Sequence, residues 1–222
     1  PLPAKTQIQD ALDGGDPDDV CLNWSVGDRR ATNVAFEAAA HVTRLDLRNH
    51  RIVTNSMEPR GGIGAFNPAS GRYTLHISAQ SLHMARDRVA ETLGVDASHV
   101  RLIAPDVGGG FGVKNFMYPE MVLLCWAARV AGRPVKWINA RSDGFVSDHQ
   151  ARDNNAHAEL ALDADGNFTA LRVRSYGNLG AYLTGSMARI FTEQFVKLPG
   201  GPYRIPAIHV DVGAVYTNTV PT

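Results

Sequence analysis

The sequence predicts an α+β fold, in which a mixed sheet contains a strand–helix–strand unit and helices pack on it. Three observations support this prediction. Apolar and polar residues alternate over 72–79, and a helical stretch and a second apolar strand follow by residue 104. A largely apolar helical stretch covers 119–131, and two strand-like segments flank a turn at 163–167. Alternation with period two is typical of a half-buried strand, and such strands need a second layer to cover them.

The first 50 residues contain one helix and one strand by these criteria. Residues 1–20 are rich in Asp, Gly and Pro, which favours an exposed linker or loop. Asp28 can accept a hydrogen bond from a free backbone N–H and so begin a helix that runs to about residue 40. Alternation over 42–47 then predicts a strand.

The strand–helix–strand unit brings two chemically interesting segments together. Ser81 begins the helix after the strand at 72–79, Gly94 ends it, and 100–104 form the second strand. If the two strands are parallel neighbours, both end at the same edge of the sheet, where sites of open α/β sheets gather. Gln80 should therefore lie near the glycine-rich loop that follows residue 106.

The rest of the chain adds helices and strands to this unit. Pro119 begins a helix that Gly132 ends, and its apolar residues lie nearly all round, so we expect deep burial. Residues 135–138 are a short strand, 157–162 and 168–175 are a hairpin, and a last strand lies near 208–216.

Composition excludes several classes of protein. The chain has 222 residues, 44% of them hydrophobic, which is enough for a real core. The 22 basic and 22 acidic residues balance, so a nucleic-acid footprint is not expected. No apolar run approaches the roughly 18 residues of a membrane span, and two distant cysteines make neither a disulfide framework nor a metal cluster. The expected location is the cytoplasm, because the two cysteines do not suggest a secreted, disulfide-rich protein.

The glycine-rich loop is the strongest single motif. Gly108, Gly109 and Gly110 precede Phe111 and Gly112, so backbone can approach a ligand closely and successive N–H groups could hold an anion. The residue at 113 is Val, which breaks both the P-loop and the dinucleotide-binding patterns. From the residues alone, a tight structural loop and a ligand-binding loop are equally good interpretations.

Three motifs in order resemble those of a known family. They are Asn-Ser-Met-Glu-Pro-Arg at 55–60, Ser-Ala-Gln-Ser at 78–81 and Pro-Asp-Val-Gly-Gly-Gly-Phe-Gly-Val-Lys at 105–114. Together they resemble the molybdenum-binding large subunit of the xanthine dehydrogenase and aldehyde oxidase family, particularly its bacterial carbon monoxide dehydrogenase branch. Gly-Arg-Pro-Val-Lys at 132–136 and Tyr-Thr-Asn-Thr at 216–219 continue the resemblance.

The resemblance implies site residues. Gln80 matches the glutamine that hydrogen-bonds an oxygen ligand on molybdenum, so no residue here would bind the metal directly. Gly109, Gly110, Phe111 and Gly112 match the loop that lies against the metal and the pterin dithiolene. Agreement with the expected place of Gln80 at the sheet edge supports both assignments.

Two departures from the family pattern bear on the chemistry. Purine-hydroxylating members carry a Glu where this chain has Asn115, which makes Asn115 a substrate-pocket candidate and argues against a xanthine-like substrate. The family's catalytic base is a Glu far towards the C-terminus, beyond residue 222. We therefore expect a piece of a larger subunit, with 1–20 as linker and 21–222 as the first molybdenum-cofactor-binding domain, and with no catalytic residue inside it.

The implied function is part of a molybdenum hydroxylase that oxidises an aldehyde, an N-heterocycle or carbon monoxide with water as oxygen source. The implied cofactor is molybdenum–molybdopterin, as the cytosine dinucleotide, in the intact enzyme; whether the piece alone is filled or empty is left open. The implied partners are the remainder of the subunit, iron–sulfur and FAD subunits, and a small-molecule substrate.

Two alternatives belong to other classes. The chain could be a non-catalytic α+β binding module that kept the fold and lost the metal, which predicts no molybdenum in protein isolated with its natural flanks. A nucleotide-binding domain is disfavoured by the broken glycine patterns around 113.

Overall fold

The computed structural model describes residues 4–184, 190–197 and 199–222. The chain folds into two compact units, one made of residues 53–149 and the other of the segments on either side of it. Both contain a mixed sheet with helices, so the α+β prediction is confirmed. The start of a cofactor-binding domain at residue 21 stays a prediction.

The regular elements, in chain order, are α1 (Ile8–Asp13), β1 (Val20–Gly27), α2 (Arg29–Glu37), β2 (His41–Asn49), β3 (Gly61–Asn67), β4 (Arg72–Ile77), α3 (Leu82–Leu93), β5 (Val100–Ile103), α4 (Pro119–Ala131), β6 (Val135–Ile138), α5 (Arg141–Ser147), β7 (Asn154–Leu162), β8 (Phe168–Asn178) and β9 (Ala207–Val215). Single helical turns lie at Pro17–Asp19, Ala97–His99, Val113–Asn115, Ile190–Gln194 and Phe195–Lys197. Within the ranges that the structure describes, no helix has the length and apolarity that crossing a bilayer requires.

The unit formed by the two outer segments is a five-stranded sheet in the order β1-β9-β8-β7-β2. Strands β8 and β9 are parallel, and the other neighbours are antiparallel. Alternating apolar residues of the central strands, including Val173, Val210 and Val212, make its core. The predicted hairpin and last strand are confirmed as β7, β8 and β9. Next to β2 and β7, Ile52 and Ala151 exchange both backbone hydrogen bonds at 2.9 Å.

The prediction of an exposed loop over residues 1–20 is wrong for α1. The carboxylate of Asp10 accepts from the backbone N–H groups of Thr6 and Gln7 at 3.1 and 2.9 Å, which begins the helix. Ile8 and Ala11 are then buried against Val215 at the end of β9. Local composition could not reveal this packing, because its partner lies some 200 residues further along the chain.

The unit of residues 53–149 has a four-stranded sheet in the order β5-β4-β3-β6. Strands β4 and β5 are parallel with α3 between them, as predicted, and Tyr73, Leu75 and Ile77 are buried as the alternation indicates. Helix α4 packs closely on β3, where a Cβ on Gly64 would lie 2.4 Å from the carbonyl oxygen of Leu124. Strand β3 went unpredicted because its glycines give no side-chain alternation.

Helix α4 begins at Pro119 and ends at Gly132, which adopts a left-handed conformation, as predicted. The expectation that it is buried all round is wrong. Met121, Leu124, Cys125 and Ala128 are buried in the core, whereas Leu123, Trp126 and Val130 are more than half exposed. The sequence could not distinguish a helix packed on one side from one that is enclosed, since both faces carry apolar residues.

Candidate functional site

Gln80 lies three residues past the end of β4 at Ile77, beside the glycine-rich loop. Its backbone N–H donates to the carbonyl oxygen of Lys114 at 3.0 Å, and its side-chain oxygen accepts from the N–H of Gly112 at 3.0 Å. Because only the carboxamide oxygen can accept from an N–H, this bond fixes which way the amide faces. The carboxamide NH2 then points away from this bond, and no acceptor for it occurs among the described residues.

The loop around Phe111 has an unusual backbone. Gly109 and Gly112 have φ angles of 93° and 95°, and Phe111 itself has φ of 49°, where a bulky residue is rarely found. Its ring is 78% exposed. A large apolar side chain held out of the core on a left-handed backbone is the kind of local strain that concentrates at functional sites.

Two glycines of the loop are required by close neighbours. A Cβ on Gly110 would lie 2.6 Å from the carboxamide carbon and oxygen of Gln80, and one on Gly108 would lie 2.4 Å from the Cβ of Glu58. Any side chain at Gly110 would therefore displace Gln80. The loop and the end of β4 form one surface of backbone and carboxamide groups.

Glu58 binds the start of this loop. One of its carboxylate oxygens accepts from Gly108 N at 2.7 Å, from Ser78 Oγ at 2.6 Å and from Lys114 Nζ at 2.7 Å. Partial burial opposes ionisation, but the hydrogen bonds from Lys114, Ser78 and Gly108 prevail and lower the pKa of Glu58 to about 2. The carboxylate is therefore ionised throughout the neutral range.

Lys114 lies at the other end of the loop and is almost fully buried, with 1% of its side chain exposed. It lines a largely apolar cavity beside Met121 and Leu124. An ammonium group in such surroundings needs a charged partner, and Glu58 is that partner.

Arg141, at the start of α5, supports the segment that carries Glu58. Its guanidinium donates to Asn55 Oδ1 at 2.7 Å, to the carbonyl oxygen of Ser56 at 2.6 Å and to that of Met57 at 2.8 Å. The Cβ of Ser56 in turn lies 3.5 Å from the position a Cβ on Gly109 would occupy. The segment 55–58 is thus a fixed support under the glycine loop.

Asn115, the substrate-pocket candidate, follows the loop within the single helical turn Val113–Asn115. Its side-chain oxygen accepts a hydrogen bond from Ser81 Oγ, and its backbone N–H donates to the carbonyl oxygen of Gly112 at 3.0 Å. Asn115 is thus bonded both to Ser81, which follows Gln80, and to the glycine loop. Its predicted place beside a substrate stays a prediction.

Of the predicted site, the structure brings together Gln80 and the loop of Gly109, Gly110, Phe111 and Gly112. Sequence reasoning assigned no role to Glu58, Lys114 or Arg141. Glu58 and Lys114 both lie inside the motifs singled out, but nothing in their 56-residue separation indicates that they meet. In the part of the chain that the structure describes, no three His, Cys, Asp or Glu residues cluster as metal ligands would.

The family described as the molybdopterin cofactor-binding domain matches residues 12–222. The carbon monoxide dehydrogenase large chain of Hydrogenophaga pseudoflava is 34% identical over 200 residues, which cover 90% of this chain and 25% of that protein. The 6-hydroxypseudooxynicotine dehydrogenase complex subunit gamma of Paenarthrobacter nicotinovorans is 36% identical over 193 residues, 84% of this chain and 23% of that one. The chain thus spans about a quarter of the length of these curated relatives.

The same likeness holds in three dimensions. The crystal structure of quinoline 2-oxidoreductase from Pseudomonas putida 86 superimposes with a TM-score of 0.89 at 30% identity. The match covers 99% of this chain and 29% of that one.

Proposed function

This chain belongs to the molybdopterin cofactor-binding domain family, and we propose that it forms one wall of the cofactor site of a molybdenum hydroxylase. The observation that carries the proposal is the arrangement of Gln80 against the glycine loop. A carboxamide NH2 without an acceptor among the described residues stands beside the partly exposed glycines of 109–112.

The residues present fit such a group. A bulky cofactor that carries oxygen and sulfur atoms needs hydrogen-bond donors and a surface free of side chains, and this loop supplies both. Gln80 offers its NH2, and Gly110 cannot carry a side chain without displacing that carboxamide. The exposed ring of Phe111 offers an apolar surface next to them.

When bound, the cofactor supplies two-electron redox chemistry at molybdenum. The work of this chain is to bind and orient it. Gln80 would donate a hydrogen bond to it, and Gly109, Gly110 and Gly112 would place backbone against it. Phe111 would exclude water on one side. Preorganised donors of this kind act strongly because they need no rearrangement during the reaction.

The finer features rest on the relatives and stay proposals. The substrate class is an aldehyde, an N-heterocycle or carbon monoxide, and Asn115 is proposed to line its pocket. We propose the cytosine dinucleotide form of the cofactor, iron–sulfur and FAD partner subunits, a cytoplasmic location, and a catalytic Glu outside these 222 residues. The 222 residues alone should then be inactive, and carbon monoxide or aldehyde oxidation by them would contradict this.

The test uses the full-length subunit purified with its partner subunits, with molybdenum and pterin measured per mole of folded protein. Gln80→Ala should lower turnover per bound cofactor about 10–100-fold, as loss of a hydrogen-bonding neighbour of a metal commonly does. The control is His83→Ala, which removes an exposed side chain from the first turn of α3. Wild-type protein without molybdenum would overturn the proposed function.

A further inference from the structure

The Glu58 carboxylate joins the two ends of the glycine loop. It accepts from Gly108 N, at the start of the loop, and from Lys114 Nζ, just past its end, both at 2.7 Å. The backbone N–H of Glu58 also donates to the carbonyl oxygen of Gly108 at 3.0 Å. The residues between these two points are therefore anchored at both ends to a single side chain.

Lys114 links this anchor to Gln80. Its carbonyl oxygen accepts the backbone N–H of Gln80 at 3.0 Å, while its ammonium is bound to Glu58. Ser78, two residues before Gln80, donates to the same carboxylate oxygen at 2.6 Å. Both sides of the proposed cofactor wall, strand end and loop, thus depend on one ion pair.

We propose that Glu58 and Lys114 are positioning residues, which set the distance between Gln80 and the glycine loop so that both can contact the cofactor. This inference rests on the proposed function. The carboxylate contacts the loop at Gly108, one residue before the proposed cofactor-contacting residues 109–112, so the pair acts through Gly108 and through the segment that carries Gln80. An ion pair that served stability alone would not need the bond from Gly108 N to the carboxylate, and the residue that carries the cation also accepts the backbone N–H of Gln80.

Arg60 provides a matched control within the same unit. It is also buried and also paired with carboxylates, those of Asp148 at 2.6 Å and Glu120 at 3.1 Å. None of its hydrogen bonds reaches the glycine loop. Arg60→Met therefore removes a buried cation without removing a hydrogen bond to the glycine loop.

The experiment compares four forms of the full-length subunit with its partners: wild type, Lys114→Met, Arg60→Met, and Lys114→Met combined with Glu58→Met. Three quantities are measured on each. They are the thermal midpoint, the molybdenum and pterin content per folded molecule, and the hydrogen exchange of the peptide that covers 105–114.

We expect both single variants to lower the thermal midpoint, since each leaves a carboxylate without its cation. Only Lys114→Met should also speed exchange of the loop and reduce cofactor content about tenfold or more, as loss of a supporting residue at a metal site does. The double variant leaves no buried charge unpaired, so its midpoint should recover in part while its cofactor content stays low.

A double variant with full cofactor content and wild-type loop exchange would overturn the inference. So would an Arg60→Met variant that loses cofactor as severely as Lys114→Met, because general destabilisation would then explain both. If the wild type itself holds no molybdenum, the proposed function fails, while loop exchange in the variants still decides whether the pair positions the loop.

Discussion

Each of the two units holds an ion pair with a buried partner, Asp153 in one and Lys114 in the other, and the two pairs are used differently. In one unit, Arg51 donates to Asp153 at 2.9 Å, Asn178 donates to the same carboxylate oxygen at 2.8 Å, and Thr217 donates to Asn178 at 2.7 Å. In this closed network, each of the four side chains binds another member. In the other unit, the Glu58–Lys114 pair ends at a loop with exposed backbone. The Arg51–Asp153 pair therefore holds segments of the chain together, whereas the Glu58–Lys114 pair holds the glycine loop.

The largest effect should come from breaking the closed network. Arg51→Met leaves Asp153 without its cation, and loss of one partner of a buried pair costs about 3–5 kcal/mol. The opening free energy of β8, measured by native-state hydrogen exchange on the full-length protein, should fall by that amount. Cofactor content per folded molecule should not change, and a loss of cofactor here would break the distinction between the two clusters.

A smaller effect is expected from acid, in the unit that carries the loop. Burial, with a contribution from the positive charge of Arg60, lowers the pKa of His149 from 6.5 to about 4. The unfolded chain thus binds a proton in a range where the folded chain does not, so stability falls as the pH drops from 6.5 to about 4. The loss from this group is about 3 kcal/mol at most.

His149→Phe should abolish this contribution to the pH dependence, because Phe has no titratable group. It also keeps a ring packed against Phe116, whose centroid lies 3.9 Å from that of the imidazole. The opening free energy of β4 amides at pH 7 and pH 4.5 measures it. The Glu58 pair contributes little above pH 4.5, because the lowered pKa of Glu58 places most of its loss of stability in the range from 4.5 down to about 2. If the opening free energy depends on pH in the variant as it does in the wild type, the effect belongs to another group.

Gly110→Ala tests the loop surface itself. The added Cβ would lie 2.6 Å from the Gln80 carboxamide, so Gln80 must move and its bond to Gly112 is lost. We expect cofactor content to fall about tenfold. Gly144→Ala in α5 is the control, because its Cβ would meet Asn139 and Asp148 at an ordinary 3.4 Å. Equal cofactor content in the two variants would contradict the proposed contact.

The smallest effect is expected for an exposed ion pair. Arg88 donates to Glu91 on α3 at 3.0 Å, with both side chains more than 60% exposed. Arg88→Met should change the free energy of unfolding by no more than about 0.5 kcal/mol, which thermal denaturation can check. A larger change would mean that burial does not explain the much larger cost expected for Arg51→Met.

The strand–helix–strand unit could be predicted because its signals are local. Alternation over Tyr73, Leu75 and Ile77, a helix that ends at Gly94 and a parallel partner strand together place Gln80 near the glycine loop, and the contact with Gly112 confirms that geometry. The role of these residues towards a cofactor came from resemblance and stays a proposal.

What could not be predicted depends on distant partners. Strand β3 is recognisable only by the helix that packs on Gly64, and the burial of Ile8 only by Val215. The Glu58–Lys114 pair joins residues 56 positions apart, and no periodic pattern in the sequence predicts that they meet. Sequence patterns indicate interactions between residues that are close in the chain, whereas these features depend on contacts between residues that are distant in the chain.

The bridge between Ile52 and Ala151 has a consequence for how the protein could be built. Residues 53–149 leave and rejoin the five-stranded sheet at two backbone positions that are hydrogen-bonded to each other. In topological terms the whole loop-bearing unit is an elaborate hairpin connection between β2 and β7. Sites where chain ends lie side by side are those that tolerate insertion and permutation. A short turn in place of 53–149 should leave the remaining sheet able to form.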